Sequence, residues 1–122
     1  MSTRKSGKYY EGQVCEQLKK LNYRLLITNF QSYFGEIDII AIESNTLVFI
    51  EVKARTSLSY GQPYEAVTTK KLNKIIKTGQ FFRNQYKTKK LPAATRIDIA
   101  SVLINQKGHS IQDFQLLKNV TR

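Results

Sequence analysis

The spacing of apolar residues changes along the chain. Tyr10, Val14, Leu18 and Leu21 recur at the interval of one helical face, which predicts a helix over 8–22. Lys19 and Lys20 stand near its C-terminal end, where the helix dipole favours cations, and Asn22 is a stop signal. From Tyr23 the pattern becomes that of strands. YRLLITNF (23–30) reads as a first strand and Gln31–Phe34 as a loop. Ile37–Ile42 and Leu47–Val52 are the two strongest strand signals, joined by a polar turn at Ser44 and Asn45. A loop over 54–64, punctuated by Gly61 and Pro63, leads to a second helix over about 65–87. Leu72, Ile75, Ile76, Phe82 and Tyr86 form its apolar stripe, and Gly79 inside it costs about 1 kcal/mol relative to Ala. After Pro92, Arg96–Ile104 is a strand, Asn105–Gly108 a turn and Ile111–Leu117 a last strand. Helix, three strands, helix and two strands, without repeat or linker, predict one α/β domain over residues 1–122. Its mixed central sheet has about five strands flanked by helices.

The two strongest strands carry charges inside their apolar runs. Alternation puts Glu36, Asp38, Ile40 and Ile42 on one face of the first, and Leu47, Phe49, Glu51 and Lys53 on one face of the second. A two-residue loop at Ser44-Asn45 pairs Ile42 with Leu47, Ile40 with Phe49, Asp38 with Glu51 and Glu36 with Lys53. The charges therefore meet at the open end of the hairpin. Like charges directly opposed destabilise a sheet, and two carboxylates in a partly buried place do not both stay ionised without a cation. A divalent ion between Asp38 and Glu51 resolves the repulsion, and oxygen ligands favour Mg²⁺ or Mn²⁺. A solvated strand end with Glu36–Lys53 and Glu51–Lys53 surface pairs accounts for the same parity.

Charge changes the picture next. Lys and Arg number 20 against 9 Asp and Glu, a formal net charge of +11, which suits a polyanionic partner and nucleic acid above all. One cysteine, Cys15, excludes an internal disulfide and any zinc site of paired cysteines; with one histidine, His109, metal chemistry falls to carboxylates. Neither residue is assigned chemistry: Cys15 is expected at the border of helix and core, and His109 in a turn. No apolar run reaches membrane-spanning length and no secretory signal opens the chain, so a cytoplasmic setting without a membrane is expected.

Asp38 followed by Glu51-Val52-Lys53 on the next strand resembles the PD-(D/E)xK nuclease superfamily. Gly7-x-x-x-Glu11, Asn22-Tyr23, Asn29, Gly35-Glu36-Ile37-Asp38, Phe49-Ile50-Glu51-Val52-Lys53, Glu65-Ala66-Val67, Lys71 and Arg96-Ile97-Asp98 resemble, in order, its YraN-like family over nearly the whole chain. Tyr10, Gly12 and Gln31 depart from that family's pattern, and Ile37 replaces the superfamily's leading Pro. The resemblance implies a restriction-endonuclease-like αβββαβ core. It implies metal binding by Asp38 and Glu51 and catalysis by Lys53; the Val52 carbonyl is expected as a further ligand beside them. Related Holliday-junction resolvases add a helix-1 glutamate, here Glu11, and act as homodimers.

The expected function is Mg²⁺- or Mn²⁺-dependent endonucleolytic hydrolysis of DNA, branched or flap DNA included. The alternative is a non-catalytic nucleic-acid-binding module on the same fold. Glu36 is expected to support the site from behind, and Asp98 to pair with Arg96 or Lys71. Lys70, Lys74 and Lys77 on one helix face, with Lys71 beside them and Arg55 in the loop after the site, are the candidate nucleic-acid contacts. Tyr60 and Tyr64 offer stacking surfaces in that loop.

Overall fold

A computed structural model describes residues 3–87, 89–105 and 110–120, with side chains from residue 10 onward. The elements run α1 (Thr3–Lys20), β1 (Arg24–Ser32), β2 (Gly35–Glu43), β3 (Thr46–Arg55), a 3₁₀ turn (Pro63–Ala66), α2 (Thr69–Gln85), β4 (Ala94–Ile104) and β5 (Ile111–Leu117). The sheet order is β1-β2-β3-β4-β5; β3 and β4 are parallel and the other neighbours antiparallel. This is the expected mixed five-stranded sheet with two helices, consistent with a restriction-endonuclease-like core. The turn expected over 105–108 and His109 fall largely outside the described residues.

Each helix covers one face of the sheet. Val14 and Leu18 of α1 pack with Ile39, Ala41, Val48, Ile50, Ala100 and Val102. Ile75 and Phe82 of α2 pack with Ile37, Ile40, Leu47, Phe49 and Ile97 on the opposite face. Because β3 and β4 are covered on both sides, their inner stretches are apolar at consecutive positions. Cys15 is half-buried against the α1-side core, as expected.

The helix ends follow local chemistry. Asn22 adopts a left-handed conformation (φ 69°), and Tyr23 N–H reaches back to the Leu18 carbonyl while Asn22 N–H bonds that of Lys19, which closes α1. Leu21, expected on the apolar stripe, falls in the closing turn after Lys20 and is exposed. In α2 the stripe shifts by a fraction of a turn: Ile76 is exposed, while Thr78 and Gly79 are buried. A Cβ placed on Gly79 would stand 2.7 Å from Phe49 Cζ and 2.9 Å from Cδ2. The glycine's helical cost is therefore the condition for α2 to lie directly on the Phe49 ring.

In a network that reaches the turn end of the β2–β3 hairpin at Glu43, Asp98 of β4 is fully buried and fully used. It accepts hydrogen bonds from Tyr23 Oη (2.8 Å), Arg96 Nε (2.9 Å) and the Asn119 N–H (2.9 Å). Arg96 continues to Glu43 (2.8 Å), which also meets Lys118. The expected Asp98–Arg96 pair thus belongs to a network that ties α1's exit, β2, β4 and the C-terminal segment together.

Candidate active site

The other end of the hairpin is open. Paired residues run from Glu43↔Thr46 to Ile39↔Ile50, with Ile42↔Leu47 and Ile40↔Phe49 in the expected register. The ladder then stops. Asp38↔Glu51 and Glu36↔Lys53, expected as cross-strand pairs, are not rungs of it. Instead, Asp38 Oδ2 accepts the Val52 N–H at 2.8 Å, so a carboxylate takes the place of a backbone carbonyl between the strands. Alternation fails at the same point: Ile37 joins the α2-side core with Ile40, although regular parity would place it with Ile39. Strand β1 departs from regular geometry at the same level. Its Asn29, between the pairs Thr28↔Ile39 and Phe30↔Ile37, is left-handed at φ 55°. Asparagine tolerates that conformation better than most residues.

Glu51 lies on the α2 side of β3 and is 3% exposed. Its Oε2 stands 3.7 Å from Lys53 Nζ and 3.7 Å from Lys71 Nζ. With both carboxyls ionised, its Oε1 is buried without a hydrogen-bond donor. Burial, and then the charge of Asp38, push the Glu51 carboxyl up to about 7; the two lysines oppose that rise. Asp38 is also pushed above the ordinary carboxylate range by burial, against the lowering effect of the Val52 N–H; the charge of Glu36 adds to the rise. Protonation of one carboxyl lets it donate to the other. The two carboxylates thus oppose one another electrostatically across a splayed strand end, not as a regular cross-strand pair.

Several expected residues are placed differently. Lys71, anticipated among the surface lysines, turns inward from the first turn of α2, where its N–H bonds the Thr68 hydroxyl (3.1 Å), and reaches Glu51. Lys70, Lys74 and Lys77 remain exposed. Lys53 meets Glu51, while the exposed Glu36 pairs with Gln31 of β1 and acts on Asp38 through its charge. Glu11 is held from α1 by Asn29 Nδ2 at 3.2 Å. Among the described residues no group of three or more His, Cys, Asp or Glu side chains could hold a metal, so Glu11 does not complete a three-carboxylate cluster with Asp38 and Glu51. Arg55 Nη1 donates to the carbonyls of Tyr60 and Gly61 and closes the loop after β3, which leaves its other nitrogens for any outside contact. Tyr64 N–H bonds Ser101 Oγ at 3.0 Å, and Tyr60 is exposed.

Tyr10 is the site neighbour that strand parity could not find. It packs from α1 against the α1-side core, burial raises its hydroxyl, and the charges of Glu11 and Asp38 raise it further. Its position next to Glu11 was the available signal. An apolar hollow of about 380 Å³ beside Phe82, Tyr86 and Leu91 does not include the carboxylates, and a larger, more polar one of about 530 Å³ is lined by Tyr10, Ala54, Arg55 and Tyr60.

Fold and site together define an α/β domain with two carboxylates and two lysines gathered at the splayed end of a mixed sheet. The chain belongs to the uncharacterised protein family UPF0102, whose family model matches residues 10–102, the YraN-like family that the motifs resemble. It is 40% identical over 119 residues to a UPF0102 protein of Caldicellulosiruptor saccharolyticus, covering 98% of each chain. It is 42% identical over 112 residues to one of Persephonella marina, covering 90% of this chain and 93% of that one. No helix among the described residues is long and apolar enough to cross a membrane.

Proposed function

We propose that the chain is a metal-dependent nuclease of the PD-(D/E)xK kind that hydrolyses phosphodiester bonds in DNA. The observation that carries this reading is the buried, donorless Oε1 of Glu51 beside Asp38. In a buried carboxylate that serves structure alone, both oxygens are expected to have hydrogen-bond donors. Here two lysines share Oε2 and leave Oε1 open. Two carboxylates suit Mg²⁺ or Mn²⁺, which take one or two protein carboxylates and complete their shell with water and phosphate oxygens.

Asp38 and Glu51 would hold the ion, with the Val52 carbonyl as the third candidate. When bound, the ion supplies charge stabilisation at the scissile phosphate and a water of lowered pKa. Lys53, fixed beside Glu51, stabilises negative charge that grows on the phosphoryl oxygens. Lys71 adds a second positive charge from α2. Tyr10 and the Asn29-held Glu11 border the site from α1. Lys70, Lys74 and Lys77 provide charge for the nucleic-acid backbone.

Duplex, flap and four-way-junction DNA incubated with the protein should be cut only with Mg²⁺ or Mn²⁺. Asp38→Ala should abolish cleavage, and Lys53→Ala should slow it by roughly 10²–10³-fold. Binding without cleavage, unchanged in both variants, would favour the non-catalytic nucleic-acid-binding module. In a separate melting experiment, Mn²⁺ should raise the Tm of the wild type and not that of Asp38→Asn.

A further inference from the structure

One to two turns of α2 beyond Lys71, the β1–β2 connection is fastened to the helix. Ser32 Oγ accepts the Phe34 N–H (3.1 Å) and lies 3.3 Å from Thr78 Oγ1, which donates to the Lys74 carbonyl (2.8 Å). Gly35 closes this connection at φ 149°, and a Cβ there would already be 3.7 Å from Lys74 Cβ. The connection is thus held from both sides against the 74–78 turn of α2.

Two aromatic rings project from this fixed mount. Tyr33 is 96% exposed and Phe34 44% exposed. They meet edge to face at 5.7 Å; Phe34 meets Phe81 at 6.5 Å, and Phe81 meets Phe30 at 6.2 Å. The row runs from solvent into the α2-side core, so its outer rings are braced. Beside it lies an open hollow of about 340 Å³ lined by Phe34, Lys77, Gln80, Phe81 and Asn84. An aromatic wall, two carboxamides and a lysine are the parts that hold a nucleobase by its face, its edge and its phosphate.

Position supplies the second half of the argument. Lys71 touches Glu51, and Lys77 follows six residues later, a rise of about 9 Å along the helix. That is a step or two along a single nucleic-acid strand. A base inside a duplex has both faces covered by its neighbours, whereas an unpaired base can stack on a side chain.

We propose that Tyr33, Phe34 and the hollow formed with Lys77, Gln80 and Asn84 are a subsite for an unpaired base next to the scissile phosphodiester. The substrate class is then nucleic acid with a single-stranded segment at the site, rather than unbroken duplex. This inference rests on the nuclease reading for its link to cleavage, but its binding step stands alone.

The test uses the full chain in EDTA, so that affinity is read without hydrolysis, with (dT)₁₂, (U)₁₂ and a 12-bp duplex. Tyr33→Ala should weaken single-strand binding by roughly 5- to 150-fold and leave duplex binding unchanged. The chain contains no tryptophan, so Tyr33→Trp introduces a lone reporter that should retain affinity and be quenched by single strands only. A preference for (dT)₁₂ or (U)₁₂ identifies the polymer. The proposal is overturned by equal affinity of Tyr33→Ala and wild type for single strands, by equal loss on the duplex, or by an unquenched reporter. Failure of the wild type to bind either single strand also overturns it and leaves the patch to a protein partner. Single-strand binding that depends on Tyr33, without cleavage of any DNA, would retain the subsite and remove hydrolysis. Asp38-dependent cleavage with a silent Tyr33 would do the reverse.

Discussion

Replacing Glu51 by Gln keeps the shape of the side chain and removes its charge, and the structure sets what that should do to stability. The carboxyl rises from 4.5 to about 7 on folding, chiefly through burial and then through Asp38. Below pH 4.5 it is protonated in both states and has no effect. As pH rises towards 7 the unfolded chain ionises while the folded one keeps its proton, so stability falls. Above 7 the full penalty applies, up to about 3 kcal/mol for a shift of this size. Glu51→Gln should therefore match the wild type near pH 4 and exceed it by up to about 3 kcal/mol at pH 8.5. Urea unfolding of both proteins across this range, with equal m values, measures the difference. Because Asp38 and Glu51 titrate as a pair, carboxyl NMR of Asp38→Asn should also find the remaining Glu51 step at lower pH. A difference that stays constant from pH 4 to 8.5, or a Gln variant less stable than wild type at high pH, would refute the assigned electrostatics.

Two further substitutions test the packing. Gly79→Ala gains about 1 kcal/mol of helix propensity but drives a methyl into the Phe49 ring; a net loss of about 1–2 kcal/mol is expected, recovered in part by adding Phe49→Leu, as read from denaturation midpoints. Asp98→Ala removes the buried acceptor of Arg96 Nε, Tyr23 Oη and the Asn119 N–H, leaving Arg96 only its Glu43 ion-pair partner among the described residues, and should cost about 3–5 kcal/mol in urea unfolding, whereas Tyr23→Phe should cost about 1 kcal/mol.

The hairpin was legible in the sequence because its register follows from turn length. Ser44 and Asn45 form the turn, Glu43 pairs with Thr46, and the apolar pairs fall where alternation puts them. The approach of Asp38 to Glu51 was legible for the same reason. Its geometry was not, because counting parity assumes a regular strand and Asp38 ends the ladder by bonding Val52 through its side chain. Asn29, an asparagine in the middle of a strand, was the local hint of that break. The inward turn of Lys71 was hidden for a different reason: four lysines within eight positions of one helix differ only in azimuth, and the rotation of α2 is set by how Gly79 seats on Phe49. Tyr33 and Phe34 carry no strand or helix pattern, and the Ser32–Thr78 contact that fastens their connection to α2 joins residues 46 positions apart.

The bond from the Val52 amide to Asp38 has a consequence of its own. It couples one backbone proton to the electronic state of the site. Whatever draws on that carboxylate, a proton or a cation, must alter the shielding and exchange lifetime of this amide, while rungs such as Ile39↔Ile50 keep their carbonyl partners. Val52 is in effect a built-in gauge: a single cross-peak whose displacement measures occupancy without a label, a substrate or turnover.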